Sequence, residues 1–267
     1  MAFDDRSKML RRYVIDAMRG GGRGHLGSSM SMIEILRVLY DSVLKFDPIN
    51  PKAFDRDRFI LSKGHGCLAL YAILADRGFF EVSELESFCR ATSRLGGHPE
   101  RGKVPGVEAS TGALGHGVPI GVGIAIGLRL QKSKSRVFVL TGDGEINEGS
   151  NWEALMAASK HKLSNLTVMV DYNKLQSYGR TADVLDLEPL IDKFKSFGFV
   201  TCEVDGHDVT ALEKVFSRLP FETNAPSAII CHTIKGKGFP FAEGNPEWHH
   251  KSGMTEADIQ QMYDCLT

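Results

Sequence analysis

The sequence lacks paired or zinc-spaced cysteines, a long apolar run, an excess of either charge and any low-complexity linker. Each absence removes a class of protein. The cysteines, Cys67, Cys89, Cys202, Cys231 and Cys265, are odd in number and include no CxxC pair. They argue against both a disulfide framework and a zinc module, and read as reduced thiols. The acidic opening Met1-Ala2-Phe3-Asp4-Asp5 has no apolar leader-like stretch, so a cytoplasmic protein is expected. A net charge of -1 argues against a general nucleic-acid or membrane-surface binder, because long-range attraction to a polyanion is missing. The short basic run Lys132 to Arg136 reads as a solvated turn between a helix and a strand. Val118 to Leu130, the most apolar helical stretch, is too short to span a bilayer. It carries Gly121, Gly123 and Gly127, which suit a core helix packed closely against its neighbours.

Apolar content of 42% and charged content of 24% over 267 residues suit one large α/β domain over residues 1–267 with a well-buried core. A helix is expected from about Ser7 to Met18. The stretch Gly20 to Ser29 holds five glycines and is expected to be irregular. Met32, Ile35, Leu36, Leu39 and Val43 then recur at helical spacing, with Ser29 or Ser31 as a plausible N-cap. Short apolar runs bounded by turn residues read as strands: Phe59–Leu61, Val137–Leu140, Leu166–Val170, Val200–Val204 and Ala228–Cys231. Helical segments at Asn151–Lys160, Leu187–Phe197 and Val209–Leu219 lie between them. Alternation of this kind predicts a parallel sheet flanked by helices on both faces. Ligands of such sheets bind beyond the carboxyl ends of the strands.

Two of those ends carry matching chemistry. Gly142-Asp143-Gly144-Glu145 follows one strand, and Asp171-Tyr172-Asn173-Lys174-Leu175 closes the next. Asp143 and Asn173 should therefore lie on adjacent strands, with one crossover helix between them. Asp and Asn oxygens are hard ligands suited to Mg²⁺ or Ca²⁺, and diphosphate oxygens and water can complete an octahedron. The flanking glycines let backbone approach a phosphate, and a following helix N-terminus favours its charge. Gly-Asp-Gly alone is ordinary turn chemistry; joined to an Asn at the next strand end, it is far more specific.

The pair resembles the thiamine diphosphate motif, and the resemblance runs over nearly the whole chain, nearest to the N-terminal, diphosphate-binding domain of the transketolase family. The stretches that carry it are Gly24-His25-Leu26-Gly27, Ser62-Lys63-Gly64-His65-Gly66, Gly97-His98-Pro99-Glu100, Thr111-Gly112-Ala113-Leu114-Gly115-His116-Gly117 and Trp248-His249. The resemblance implies thiamine diphosphate and Mg²⁺, with Ca²⁺ or Mn²⁺ able to substitute, and metal ligands Asp143, Asn173 and the carbonyl of Leu175. It places His65, Lys63, Gly112, Leu114, Gly142, Asp143, Gly144, Glu145, Asn173, Lys235 and His249 at the cofactor. His25, His65, His98 and His249 would line the thiazolium and a sugar, as suits a polyhydroxylated substrate. Glu148 would be the acidic residue between chains. His161 and His232 read as structural, and His207 as shaping a turn. One departure is visible: the family commonly has Pro and Gln where this chain has Ala113 and His116.

The resemblance further implies transfer of a two-carbon ketol unit from a ketose, often phosphorylated, to an aldose, with the cofactor as electron sink. The glutamate that protonates the aminopyrimidine belongs to a pyrimidine-binding domain. That domain is expected on a partner, the C-terminal transketolase subunit, in a heterotetramer. Neither a nucleic-acid nor a membrane partner is expected. The competing readings are another thiamine-dependent enzyme, either an acyloin synthase or a 2-oxoacid decarboxylase or dehydrogenase component, and a non-catalytic cofactor-binding subunit.

Overall fold

A computed structural model describes residues 3–267; Met1 and Ala2, part of the acidic opening, lie outside the described residues. Helix α1 (Asp5–Gly21) begins where Asp4 accepts the Ser7 N–H and ends at Gly22, whose φ of 65° is left-handed. Leu10, Val14, Ile15 and Met18 recur on its buried face. The glycine-rich stretch is not irregular throughout, contrary to expectation. It forms a two-residue strand β1 (Arg23–Gly24) and a short helix α2 (Leu26–Met30), anchored by fully buried Leu26 and Met30. Neither Ser29 nor Ser31 caps the next helix, α3 (Ile33–Val38), which starts from Met32 with no side-chain cap. The Ser31 hydroxyl is spent elsewhere, on Asp171.

The remaining elements are β2 (Arg58–Leu61), α4 (Cys67–Asp76), α5 (Gly117–Leu130), β3 (Val137–Gly142), α6 (Gly149–Lys160), β4 (Leu166–Tyr172), α7 (Thr181–Val184), α8 (Leu190–Ser196), β5 (Val200–Asp205), α9 (Val209–Phe216), β6 (Ser227–His232), β7 (Lys251–Ser252) and α10 (Glu256–Asp264). All the expected strands form. Helices α8 and α9 are shorter than expected, because Pro189 sits at the start of one and Pro220 stops the other.

Strands β2 to β6 make a five-stranded parallel sheet in the order β2-β3-β4-β6-β5. Alternation along its strands feeds two cores. Val137, Val139, Val168, Val170 and Ile230 pack with α5, α6 and α8, while Phe138, Leu140, Met169 and Ile229 pack with α1, α3, α4 and α9. The expected two-sided sheet is thus present. Separately, β1 pairs antiparallel with β7, which brings the C-terminal loop back over the start of α2.

Helix α5 packs closely only along one line. A Cβ on Gly121 would come within 2.5 Å of a Val139 methyl, whereas Gly123 and Gly127 face open space. Only the first of the three glycines therefore meets the expectation of tight core packing. Gly121→Val should destabilise the isolated chain by about 1–3 kcal/mol through overpacking. Gly123→Ala and Gly127→Ala should each stabilise it by about 0.5–1 kcal/mol. Thermal melts of the three variants check this, and a common direction of change would refute the assignment of faces.

Candidate active site

Parallel pairing sets Gly142, the last residue of β3, opposite Asp171 of β4, so the two following loops rise side by side. Asp143 is 3% exposed. Its Oδ1 accepts the Gly144 N–H at 2.7 Å and its Oδ2 the Lys174 N–H at 2.5 Å. The second bond crosses between loops, and it holds Asn173 and Leu175 next to Asp143. Lys174 takes a left-handed φ of 64° to make this turn. Asn173 Oδ1 accepts the Leu175 N–H at 3.1 Å, and the Leu175 carbonyl accepts from the Lys235 ammonium at 2.7 Å. The three oxygens expected to bind a metal are thus on neighbouring turns.

Charge here is unbalanced. Burial, and then the nearby Asp171, push the Asp143 carboxyl up to about 6. Among the described residues Asp143 has no ion-pair partner. Burial and the neighbouring Lys63 pull Lys235 down to about 8. Lys235 is 3% exposed, a buried cation and not an exposed basic turn. No group of three or more His, Cys, Asp or Glu side chains is arranged for a metal among the described residues. A cation here would rely on Asp143, amide and carbonyl oxygens, and oxygens brought by a ligand. Two buried nitrogens nearby, Nε2 of Gln176 and Nδ1 of His249, also lack hydrogen-bond partners among the described residues. Unpaired buried polar atoms are costly, so the donor set fits a metal and an acceptor-rich ligand.

Lys63 was expected at the cofactor. It lies 1% exposed, its ammonium paired with Asp171 and donating to the Ser28 carbonyl at 2.9 Å. Burial would raise the Asp171 carboxyl, yet Lys63 together with the hydroxyls of Ser31 and Thr233 holds it below the usual carboxylate range. Asp171 therefore ties β4 to the turn between α2 and α3 and to the loops after β2 and β6. It was not among the expected site residues, although a carboxylate inside an otherwise apolar strand is a strong signal of a buried partner. Glu145 is similar: its carboxylate accepts from Ser62 Oγ at 2.5 Å and from the N–H groups of Gly115 and Gly142 at 2.9 and 3.2 Å. It braces the Gly115 turn.

Beyond these loops stand the histidines. Ring centroids lie 5.5 Å apart for His25 and His65, 6.3 Å for His25 and His98, and 5.4 Å for His25 and His249. His65 and His249 are 5.5 Å apart, and His250, the neighbour that could have taken the place of His249, lies 4.6 Å from His25. His249 Nε2 is 3.0 Å from Ser177 Oγ. Burial, then the surrounding cationic groups, depress His25 to about 3 and His249 to about 4, and hold His65 well below its ordinary value. Burial alone lowers His98. All four are neutral near pH 7. Gly112, at a φ of 139°, passes so near His98 that a Cβ would sit 2.6 Å from its ring. Leu114 precedes the Gly115 turn, and its carbonyl lies 3.1 Å from Nδ1 of the exposed His116. Glu148 is exposed at the start of α6. His161 and His232 stand outside the cluster.

A buried carboxylate without an ion-pair partner at adjacent strand ends, roofed by uncharged imidazoles, fits an α/β domain of the thiamine diphosphate-binding class. Comparison with known proteins narrows the class. The family model described as transketolase, thiamine diphosphate binding domain, matches residues 4–266, and the chain belongs to this family. It is 44% identical to an apulose-4-phosphate transketolase subunit of Actinobacillus succinogenes, over 93% of this chain and 90% of that protein. It is 37% identical to the 6-deoxy-6-sulfo-D-fructose transketolase subunit SqwG of a Clostridium species, over 91% of this chain and 89% of that one. The crystal structure of a transketolase from Campylobacter jejuni superposes with a TM-score of 0.90 at 29% identity, covering 98% of this chain and 42% of that one. The chain thus spans under half the length of the solved transketolase.

A pH dependence follows from Asp143. Because its folded-state pKa lies above the ordinary carboxylate value, it adds stability to the metal-free chain at low pH, and this is lost as pH rises through about 6. A divalent cation requires the ionised form. Stabilisation by Mg²⁺ with thiamine diphosphate should therefore grow from about pH 5 to about pH 7.5, reaching about 5 °C in melting temperature. The increment should vanish in Asp143→Ala. A pH-independent increment, or one that survives in the variant, would exclude Asp143 as a ligand.

Proposed function

We propose that this chain is the cofactor-holding subunit of a transketolase assembled from two kinds of polypeptide. The observation that carries the reading is the buried, unpaired Asp143 carboxylate held beside Asn173 and the Leu175 carbonyl. Those three oxygens would hold Mg²⁺, and Ca²⁺ or Mn²⁺ could take its place. The metal and Lys235 would grip the diphosphate of thiamine diphosphate. When bound, the cofactor supplies an electron sink for cleavage of the bond next to a ketose carbonyl.

This chain's own residues orient and recognise. His25, His65, His98 and His249 form a wall of neutral imidazoles able to donate or accept hydrogen bonds from the hydroxyls of a ketose. The unpartnered Nδ1 of His249 offers one such position. With pKa values of about 3 and 4 in the metal-free chain, His25 and His249 position hydroxyls there and do not store protons. The negative charge of a bound diphosphate would favour the imidazolium form of its nearest neighbours and bring them into a useful range.

Partner dependence is supported by relatives named as subunits, nine-tenths of whose length this chain covers. A C-terminal subunit carrying the pyrimidine-binding domain and its glutamate would complete each site, with Glu148 at the contact and paired sites in a heterotetramer. The substrates would be sugars bearing an anionic group, as the names of those relatives describe for their own substrates. Five free thiols suit the cytoplasm, and among the described residues no helix is long and apolar enough to cross a membrane.

Purified chain should show no ketol transfer alone, and should transfer two carbons from a ketose phosphate to an aldose phosphate once the partner, Mg²⁺ and thiamine diphosphate are added. His98→Ala should cut that rate by about tenfold to a hundredfold. Carbon dioxide release from pyruvate by the assembled enzyme would move the assignment to a 2-oxoacid enzyme. Full activity in His98→Ala would leave a non-catalytic cofactor carrier.

A further inference from the structure

We infer that His207 is a positioning residue for Lys235, acting through a buried Arg11–Glu34–His207 clamp. The inference rests on the reading that Lys235 serves the diphosphate.

His207 lies in the turn after β5, outside the histidine cluster, and was expected only to shape that turn. Its backbone does so, donating to Asp205 Oδ1 at 2.8 Å. Its ring reaches elsewhere. Nε2 accepts the N–H of Ile234 at 2.9 Å, and Nδ1 faces Glu34 Oε2 at 3.1 Å. A neutral imidazole carries one N–H. Since Nε2 meets a backbone donor, the proton resides on Nδ1 and goes to Glu34. Glu34 also receives both guanidinium arms of Arg11, at 2.6 and 3.1 Å, with both side chains fully buried. Arg11 Nε in turn donates to the Lys237 carbonyl at 3.3 Å.

The clamp therefore touches the chain on both sides of Lys235: at the Ile234 N–H through His207, and at the Lys237 carbonyl through Arg11. Between them Gly236, at a φ of 81°, donates to the Gly27 carbonyl at 3.0 Å. Held at those points, Lys235 turns inward and its ammonium meets the Leu175 carbonyl. Release of Ile234 would free the residue immediately before the buried lysine. Arg11 and Glu34 are poor places to test this, because removing either strands a buried charge. His207 is half-buried and offers a selective cut. Asn at this position keeps a donor for Glu34 but cannot reach Ile234, whereas Gln can place an oxygen where Nε2 stood.

The experiment is calorimetric titration of the full chain with Mg²⁺ and inorganic pyrophosphate, repeated with thiamine diphosphate, for the wild type, Lys235→Met, His207→Asn, His207→Gln and the Lys235→Met/His207→Asn double variant. His207→Asn should bind about fivefold more weakly and His207→Gln within about twofold of wild type, the size expected of one hydrogen bond. In the Lys235→Met background the Asn substitution should have no further effect, since its action passes through the missing ammonium. An equal loss in both backgrounds, or equal loss in Asn and Gln variants, would overturn the inference and leave the diphosphate site standing. Wild type that fails to bind either probe, or Lys235→Met that binds like wild type, would instead remove the diphosphate reading on which it rests.

Discussion

Everything at the site depends on one hydrogen bond between two loops, from the Lys174 N–H to the Asp143 carboxylate. Parallel pairing of β3 with β4 delivers both loops to the same edge of the sheet, but pairing alone leaves them free to diverge. The bond closes that freedom, and the left-handed Lys174 makes the turn in which Asn173 and Leu175 present their oxygens. A carboxylate buried to accept two backbone N–H groups gains from both. It still retains a negative charge that no ion pair among the described residues offsets.

That residual charge gives the surrounding arrangement its sense. Lys63 and Asp171 neutralise each other in the interior, and the Ser31 and Thr233 hydroxyls fill the remaining acceptor sites of Asp171. Glu145 is occupied by a hydroxyl and two backbone donors. Both carboxylates act as structural fasteners that join separate segments, Asp171 with an ion pair and Glu145 through hydrogen bonds alone, so that burial raises the Glu145 carboxyl. Asp143 and Lys235 differ in meeting the turn where Asn173 and Leu175 present their oxygens. Their pKa values move toward one another, one raised and the other lowered, because each is buried without a full counter-charge. A site that leaves one anion and one cation incompletely paired suits a ligand carrying both signs, as the metal diphosphate proposed above would.

Most of the sheet was legible because β2, β3, β4 and β6 are largely buried and read as apolar runs, while the edge strand β5 is only partly buried and carries Thr201, Glu203 and Asp205. Asp143 and Asn173 were legible because chemistry concentrates at carboxyl ends of parallel strands. The histidines were found through the motifs around them and not through their spacing, since residues 25, 65, 98 and 249 meet only after the chain has folded. His249 and His250 stood as alternatives for one place in the sequence, and the structure brings both to His25, because the β1–β7 ribbon turns the C-terminal loop back over the site. The glycine-rich stretch after α1 misled, because glycine permits irregular backbone without requiring it. Leu26 and Met30, both fully buried, decided the matter through packing. Asp171 and Gln176 were hidden for a related reason. Their roles are set by partners on other segments, and only the signal of a carboxylate within an apolar strand hinted at one of them.

The crowding of four imidazoles around His25 has an electrostatic consequence that links fold to chemistry. Each ring that acquires a proton makes the next protonation harder, and burial opposes the change at His25, His65 and His249, so these rings stay uncharged in the metal-free chain near neutrality. A neutral wall does not repel the metal or the buried ammonium of Lys235, which a cluster of imidazolium ions would. An anionic ligand beside these rings would reverse the balance locally, because a negative charge lowers the cost of the first proton. Under the function proposed above, proton-transfer capacity would belong to the loaded site and not to the empty one. The same low-dielectric enclosure that suppresses charge in one state strengthens its effect in the other.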